Sequence, residues 1–230
     1  MQTHDIKSLQ GKIGYTFQNI ALLKQALTHS SYSNEQKINK LPHYERIEFL
    51  GDAVLELVSS EYFYHHYPDM PEGSMTKKRA SAVCEQALAI TARQLELGQY
   101  MLFGKGEEAT GGRNRDSIIA DAVEALIGAI YLDSNLDEAR KFIHHFVLND
   151  LETKELFYDA KSILQEYVQN HKLGTLLYEL TDEKGPEHAK EFYVNAMLDD
   201  VCIGTGEGHN KKAAEQAAAY DAILRNHYRM

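Results

Sequence analysis

Hydrophobic residues recur at every third or fourth position from about residue 16 to residue 148, which is the period of an amphipathic helix. This pattern predicts helices at residues 19–29, 44–66, 74–95, 116–132 and 135–149. Asn19, Ser74 and Asn135 stand where periodic runs begin and are expected to cap them, because their side chains accept hydrogen bonds from free helix N–H groups. The larger, N-terminal part of the chain is therefore predicted to be all helical.

The pattern changes after a charged connection near residues 150–158. A helical period at 161–171 is followed by alternating stretches at 176–180 and 191–208, and then by a second helical run at 210–227. The chain is therefore predicted to be mainly α, with an all-helical domain at 1–150. A small α+β domain of α-β-β-β-α order is predicted at 158–228.

The charge balance argues against a generic nucleic-acid binder. The 230 residues carry 24 Lys and Arg against 34 Asp and Glu, a formal charge of −10. Polyanions are usually met by a surplus of basic residues, so any such binding has to depend on local groups. With 43% hydrophobic and 25% charged residues, the composition is that of a globular protein.

Cellular location is predicted from two negative signals in the sequence. Cys84 and Cys202 lie far apart without a CxxC spacing, which indicates neither a disulfide framework nor a zinc ribbon. Apolar runs do not approach the ~20 residues of a membrane span, and the N-terminus does not resemble a signal peptide. We expect a cytoplasmic protein without membrane attachment.

Acidic residues follow one face of the predicted helix at 44–66. Glu45, Glu48 and Asp52 fall beside the apolar stripe at helical spacing, and Glu56 continues the row. On its own, such a row is typical of a solvated helix surface.

The predicted helix at 116–132 gives these acids a different meaning. It is apolar on nearly every side between Ile118 and Leu132, apart from Asp121 and Glu124. Buried like charges require compensation, and this run contains neither Lys nor Arg. Mg²⁺ prefers oxygen ligands, which predicts a cation site formed by Glu48, Asp52, Asp121 and Glu124. Gly128, one turn after Glu124, would allow another helix to approach closely.

Two alternative roles for the buried acids remain open. Asp121 and Glu124 can cap a loop or pair with Arg46 or Arg79. A di-iron bundle is disfavoured, because the Glu-x-x-His pattern of such centres does not occur in the chain.

Alternating glycines lead into the last predicted helix, in the sequence GTGEGHNKKAAEQAAA at 204–219. Asn210 is the expected N-cap, and Lys211 and Lys212 lie in the first turn, where the helix dipole favours anions. The alternative is a capped surface helix with two solvated lysines. The spacing does not match a phosphate-binding nucleotide loop.

Two acidic segments, YERIEFLGDAVLEL at 44–57 and ADAVEALIGAIYLD at 120–133, closely resemble the signatures of the bacterial ribonuclease III family. The segment from Lys161 to Leu224 resembles a double-stranded-RNA-binding domain. The resemblance implies a dimeric helical endonuclease joined to an RNA-binding domain. The sequence departs from the family pattern at Tyr44, Ala160 and Asn210, where the family more usually has Asn, Pro and Ser.

The resemblance also implies roles for particular residues. Glu48, Asp52, Asp121 and Glu124 match the metal ligands, with Asp52 and Glu124 as the leading catalytic acids. Glu45 and Glu72 match supporting acids, and Phe49 matches a dimer-interface aromatic that core packing would otherwise explain. The RNA-binding positions fall on Gln165, Glu166, His188, Asn210, Lys211 and Lys212.

The implied activity is Mg²⁺-dependent hydrolysis of double-stranded RNA, with Mn²⁺ as a substitute and without an organic cofactor. The products would carry 5′-phosphate and 3′-hydroxyl ends with short 3′ overhangs. Precursors of ribosomal, messenger and transfer RNA are the expected substrates. The alternatives are a non-catalytic dimer that binds double-stranded RNA or ribosomes, and a helical phosphohydrolase acting on nucleotides.

Overall fold

Residues 5–36, 41–149, 151, 156, 159–185, 190–208 and 210–228 are described by a computed structural model. The chain divides into two units, Met1–Leu151 and Glu152–Met230. The domain limits 1–150 and 158–228 remain predictions. Within the described ranges, no helix combines the length and apolar character needed to span a membrane.

The described part of the first unit is built from helices joined by short loops. The helices are α1 (Ile6–Ile13), α2 (Ile20–Ala26), α3 (Ser30–Glu35), α4 (Glu45–His66), α5 (Glu72–Val83), α6 (Glu85–Gln94), α7 (Leu97–Tyr100), α8 (Lys105–Ala109), α9 (Asp116–Asp133) and α10 (Leu136–Phe142). A 3-10 turn at Gly112–Asn114 precedes α9, and a π-helical turn at Ile143–Val147 follows α10. The predicted all-helical architecture is confirmed.

Helix ends match the sequence pattern where a capping side chain decides them. Asn19 accepts a hydrogen bond from the Ala21 N–H, and Asn135 caps α10 in the same way. The expected cap at Ser74 is wrong, because α5 begins at Glu72, directly after Pro71. The single helix predicted at 74–95 is also wrong, since extended backbone at Cys84 separates α5 from α6.

Helix α9 forms the centre of the first unit. Its residues from Ile118 to Ile130 are buried except for Asp121 and Glu124, which are partly exposed. α4 is its main packing partner, and α6 and α2 also lie against it. The nearly uniform apolar sequence of α9 is thus explained by contacts on several sides.

Two glycines allow α4 and α9 to cross with their backbones in contact. A Cβ atom at Gly51 would lie 1.8 Å from the carbonyl oxygen of Glu124. A Cβ atom at Gly128 would lie 2.3 Å from the carbonyl oxygen of Ile47. The close approach predicted for Gly128 is confirmed, whereas its counterpart Gly51 was not predicted.

The second unit has the predicted α-β-β-β-α order. Its elements are α11 (Ala160–His171), β1 (Leu176–Lys184), β2 (Glu191–Leu198), β3 (Val201–Gly208) and α12 (Lys211–Asn226). The strands form an antiparallel sheet in the order β1-β2-β3. Side chains from both helices and the sheet meet in one apolar core that includes Leu164, Val194 and Ile223.

The alternating glycines of β3 serve the packing of α12. Cβ atoms at Gly204, Gly206 and Gly208 would each come within 2.6 Å of α12 backbone atoms. Ala214 and Ala218 stand opposite them on the helix. This close contact explains the glycine spacing without any bound anion. The sequence pattern alone did not indicate that the glycines pack against a helix.

Candidate active site

Three carboxylates come together where α4 crosses α9. Glu48 from α4 and Asp121 and Glu124 from α9 each offer an oxygen atom, and all three atoms lie within 4.8 Å of one another. The glycine contact places the two helices close enough for this, because Gly51 touches the backbone of Glu124 itself. We call Glu48, Asp121 and Glu124 the acid cluster.

Burial and mutual repulsion both disfavour the ionised form of the acid cluster. Burial, followed by the charges of Asp121, Glu45 and Asp52, raises the pKa of Glu48 to about 7. Burial and neighbouring acids, Asp52 first among them, raise the pKa of Glu124 to about 8. The pKa of Asp121 is also raised, mainly by burial. Without a cation, the cluster therefore retains protons near neutral pH.

The donor set of the acid cluster fits a hard divalent cation. Closely spaced carboxylate oxygens are the ligands that Mg²⁺ and Mn²⁺ prefer. Among the described residues, the charges that shift the pKa of these three acids most strongly are all carboxylates. Arg79, one of the possible partners, binds Glu56 at 3.0 Å and the Ser60 hydroxyl at 2.7 Å instead.

Asp52 and Glu45 flank the acid cluster on α4. Asp52 is exposed, and its charge raises the pKa of both Glu48 and Glu124. It does not belong to the trio of oxygens within 4.8 Å. Glu45 is also exposed and raises the pKa of Asp121 after the effect of burial. Both acids thus act electrostatically on the cluster from its solvent side.

Tyr44 is a buried neighbour of the acid cluster that the sequence marks only as a departure from the family. Its hydroxyl donates a hydrogen bond to Oδ2 of Asp121 at 3.3 Å. Burial, followed by the charge of Asp121, raises the pKa of this phenol, so it remains a donor at neutral pH. The sequence signal that could have indicated this contact is a tyrosine directly before the row of acidic residues that starts at Glu45.

The structure places Glu72 and Phe49 outside the cluster. Glu72 begins α5, accepts a hydrogen bond from Thr76 at 3.1 Å, and lines a surface groove together with Leu57 and Tyr64. Its charge is not among the main causes of the raised pKa values in the acid cluster. Phe49 is 78% exposed, which excludes core packing within the chain.

The residues expected to bind RNA lie on the second unit. Gln165 and Glu166 are exposed on α11, and Lys211 and Lys212 are exposed in the first turn of α12. The predicted cap is confirmed, since Asn210 accepts a hydrogen bond from the Ala213 N–H at 2.9 Å. Lys211 lies 3.6 Å from Glu183. His188 lies outside the described residues.

Family comparisons divide the chain in the same order as its two units. Residues 19–151 match the Ribonuclease-III-like family, and residues 160–225 match the double-stranded RNA binding motif. The fold and the acid cluster thus define a nuclease-type helical domain followed by an RNA-binding domain.

Relatives extend this likeness over nearly the whole chain. Ribonuclease 3 of Oceanobacillus iheyensis is 48% identical over 95% of this chain and 97% of its own length. Ribonuclease 3 of Caldanaerobacter subterraneus is 47% identical over 94% of this chain and 95% of its own length. The nuclease domain of ribonuclease III from Campylobacter jejuni is 39% identical, with a TM-score of 0.58 over 62% of this chain and 96% of its own. The chain belongs to the ribonuclease III family.

Proposed function

We propose that the protein hydrolyses double-stranded RNA with Mg²⁺ or Mn²⁺ held by Glu48, Asp121 and Glu124, and with Asp52 beside them. The observation that supports this most strongly is the acid cluster itself. Three carboxylates with raised pKa values meet at a buried helix crossing without a basic partner among the described residues. Family membership supplies the substrate class.

Each acid has a definite task in this proposal. Glu48, Asp121 and Glu124 supply ligand oxygens from two rigid helices, which fixes where the positive charge stands relative to the RNA backbone. A bound divalent cation supplies charge neutralisation and Lewis-acid activation for attack on a phosphodiester. Asp52 is exposed beside the cluster and is suited to orient a water molecule at the solvent side. Glu45 adds negative charge at the solvent-exposed side of the acid cluster.

A second copy of the chain is part of the proposal. Phe49, Leu57 and Tyr64 project from α4 with 78%, 57% and 66% of their surface exposed, at spacings that place them along one side of the helix. Such an apolar row is unusual on a monomer surface. The related Campylobacter jejuni domain is described with a region involved in dimer formation. Two acid clusters in one dimer would cut both strands and leave short 3′ overhangs, with 5′-phosphate and 3′-hydroxyl ends.

The second unit provides the duplex contacts in this proposal. Exposed Gln165 and Glu166 on α11 would face a minor groove, and Lys211 and Lys212 would contact phosphates at the N-terminus of α12. Asn210 supports the lysines by capping that helix. His188 would contact a further groove. Precursors of ribosomal RNA and other structured RNAs are the substrates that fit such shape-based recognition.

The test measures how the purified 230-residue chain cleaves different substrates, with and without divalent cations. We expect cleavage of long duplex RNA only when Mg²⁺ or Mn²⁺ is present, with single-stranded RNA and nucleoside triphosphates left intact. Duplex binding without cleavage under any divalent cation would instead support the non-catalytic dimer. Hydrolysis of nucleoside triphosphates with intact duplex would support the nucleotide phosphohydrolase.

A further inference from the structure

Tyr44 connects the start of α4 to an acid of α9. Its N–H donates to the Thr28 carbonyl at 3.0 Å, and its own carbonyl accepts the Glu48 N–H at 2.9 Å. Its side chain crosses to α9, where the hydroxyl meets Oδ2 of Asp121. One residue thus contacts the backbone of one member of the acid cluster and the carboxylate of another.

The Tyr44 hydroxyl is held in place by the packing around it. The residue is only 4% exposed, and its ring lies 5.7 Å from the ring of His29, centre to centre. Both backbone hydrogen bonds hold the main chain at the same point. With the main chain and the ring fixed, the hydroxyl has little freedom to follow a different partner.

A second tyrosine, Tyr15, also donates a hydrogen bond to an acid of α9, and it serves as an example of a purely structural Tyr–Asp hydrogen bond. Tyr15 donates to Oδ2 of Asp133 at 2.8 Å, and Asp133 also accepts the N–H groups of Gln18 and Asn19. These three donors occupy both carboxylate oxygens. For Asp121, in contrast, Tyr44 provides the only side-chain hydrogen bond found among the described residues, and two other acids lie beside it.

We propose that Tyr44 is a positioning residue, whose hydroxyl fixes the rotation of the Asp121 carboxylate so that Oδ1 is presented to a divalent cation. This inference rests on the proposed function of the acid cluster. Groups that orient a metal ligand typically change metal affinity by about 10–100-fold when removed. The O···O distance of 3.3 Å is long for a hydroxyl donor, which places the expected effect at about ten-fold.

The test measures Mn²⁺ binding to RNA-free protein, by the electron paramagnetic resonance signal of free Mn²⁺. Tyr44→Phe keeps the buried ring and removes only the hydroxyl, and we expect its Kd for Mn²⁺ to rise about ten-fold. Tyr15→Phe is the matched control, because it removes a Tyr–Asp bond to the same helix. It should lower the melting temperature and leave the Kd within about two-fold of wild type.

A double-mutant cycle tests whether Tyr44 acts through Asp121. In an Asp121→Ala background, which removes the acceptor of the Tyr44 hydroxyl, adding Tyr44→Phe should change the Kd for Mn²⁺ by less than about two-fold, because each change alone already removes the shared contact. An unchanged Kd in folded Tyr44→Phe, or an undiminished effect in that background, would overturn the inference while leaving the proposed function intact. Wild type that neither binds Mn²⁺ nor cuts duplex RNA would overturn both.

Discussion

Glycine brings backbones into contact in both units of the chain, but the surrounding side chains give the two contacts different consequences. At the crossing of α4 and α9, Gly51 and Gly128 are flanked by Glu48 and Glu124. Between β3 and α12, the glycines of β3 face alanines. The first contact partly shields carboxylates from water, whereas the second builds a neutral, tightly packed scaffold.

This difference predicts how charge behaves in each unit. The acid cluster has pKa values raised by burial and by mutual repulsion, so its members act as one group. Lys211 and Lys212 are exposed, so each should attract RNA phosphates independently, and salt should weaken this attraction. Changes in the first unit should therefore abolish chemistry, whereas changes in the second should reduce affinity gradually.

Glu124→Gln should produce the largest effect, because it removes a ligand oxygen and a charge from the centre of the cluster. We expect cleavage of duplex RNA to fall by about 10³-fold, equivalent to about 4 kcal/mol of barrier. Duplex binding should stay within about three-fold of wild type, since the binding residues lie in the other unit. Single-turnover cleavage and gel-shift titration measure the two quantities, and a parallel loss of both would remove the contrast between the units.

Gly51→Ala should give the next largest effect, because its Cβ would lie 1.8 Å from the Glu124 carbonyl oxygen. Forcing the helices apart should cost about 1–3 kcal/mol of unfolding free energy and reduce cleavage by about 10²-fold. Gly11→Ala on α1 is the control, since nothing lies within 4 Å of its added Cβ. Urea denaturation and kcat are the measurements. Equal behaviour of the two variants would show that the crossing does not set the geometry of the acids.

Lys211→Ala with Lys212→Ala should have a smaller, graded effect on binding. We expect duplex affinity to fall about ten-fold, with the slope of log K against log salt reduced by about two. Each single variant should give about half of this change, and Lys141→Ala on α10 should give none. Gel-shift series at several salt concentrations provide the data. An unchanged slope in the double variant would remove both lysines from the phosphate contacts.

The sequence predicts the parts of this structure that depend on periodicity. Helical period and an apolar surrounding are both local signals, and they point to Glu48, Asp121 and Glu124, but together with Asp52, which lies outside the trio of oxygens. The role of Gly51, which faces α9 at the same crossing as Gly128, was not predictable. Nothing in the local sequence relates Gly51 to the carbonyl of Glu124 on a distant helix. The bond from Tyr44 to Asp121 was missed for the same reason. The break at Cys84 was missed because the apolar period continues across it.

A divalent cation is expected to replace protons in the desolvated acid cluster, and this exchange can be counted. With pKa values of about 7 for Glu48 and about 8 for Glu124, both carboxyls hold protons at pH 7 that a bound cation must displace. Calorimetric titration of Mg²⁺ into RNA-free protein, in buffers of different ionisation enthalpy, counts these protons. At pH 7 these values correspond to about half a proton on Glu48 and about 0.9 on Glu124, so we predict release of about 1.4 protons per bound cation, falling towards zero at about pH 9. Cation binding without proton release at pH 7 would contradict the account.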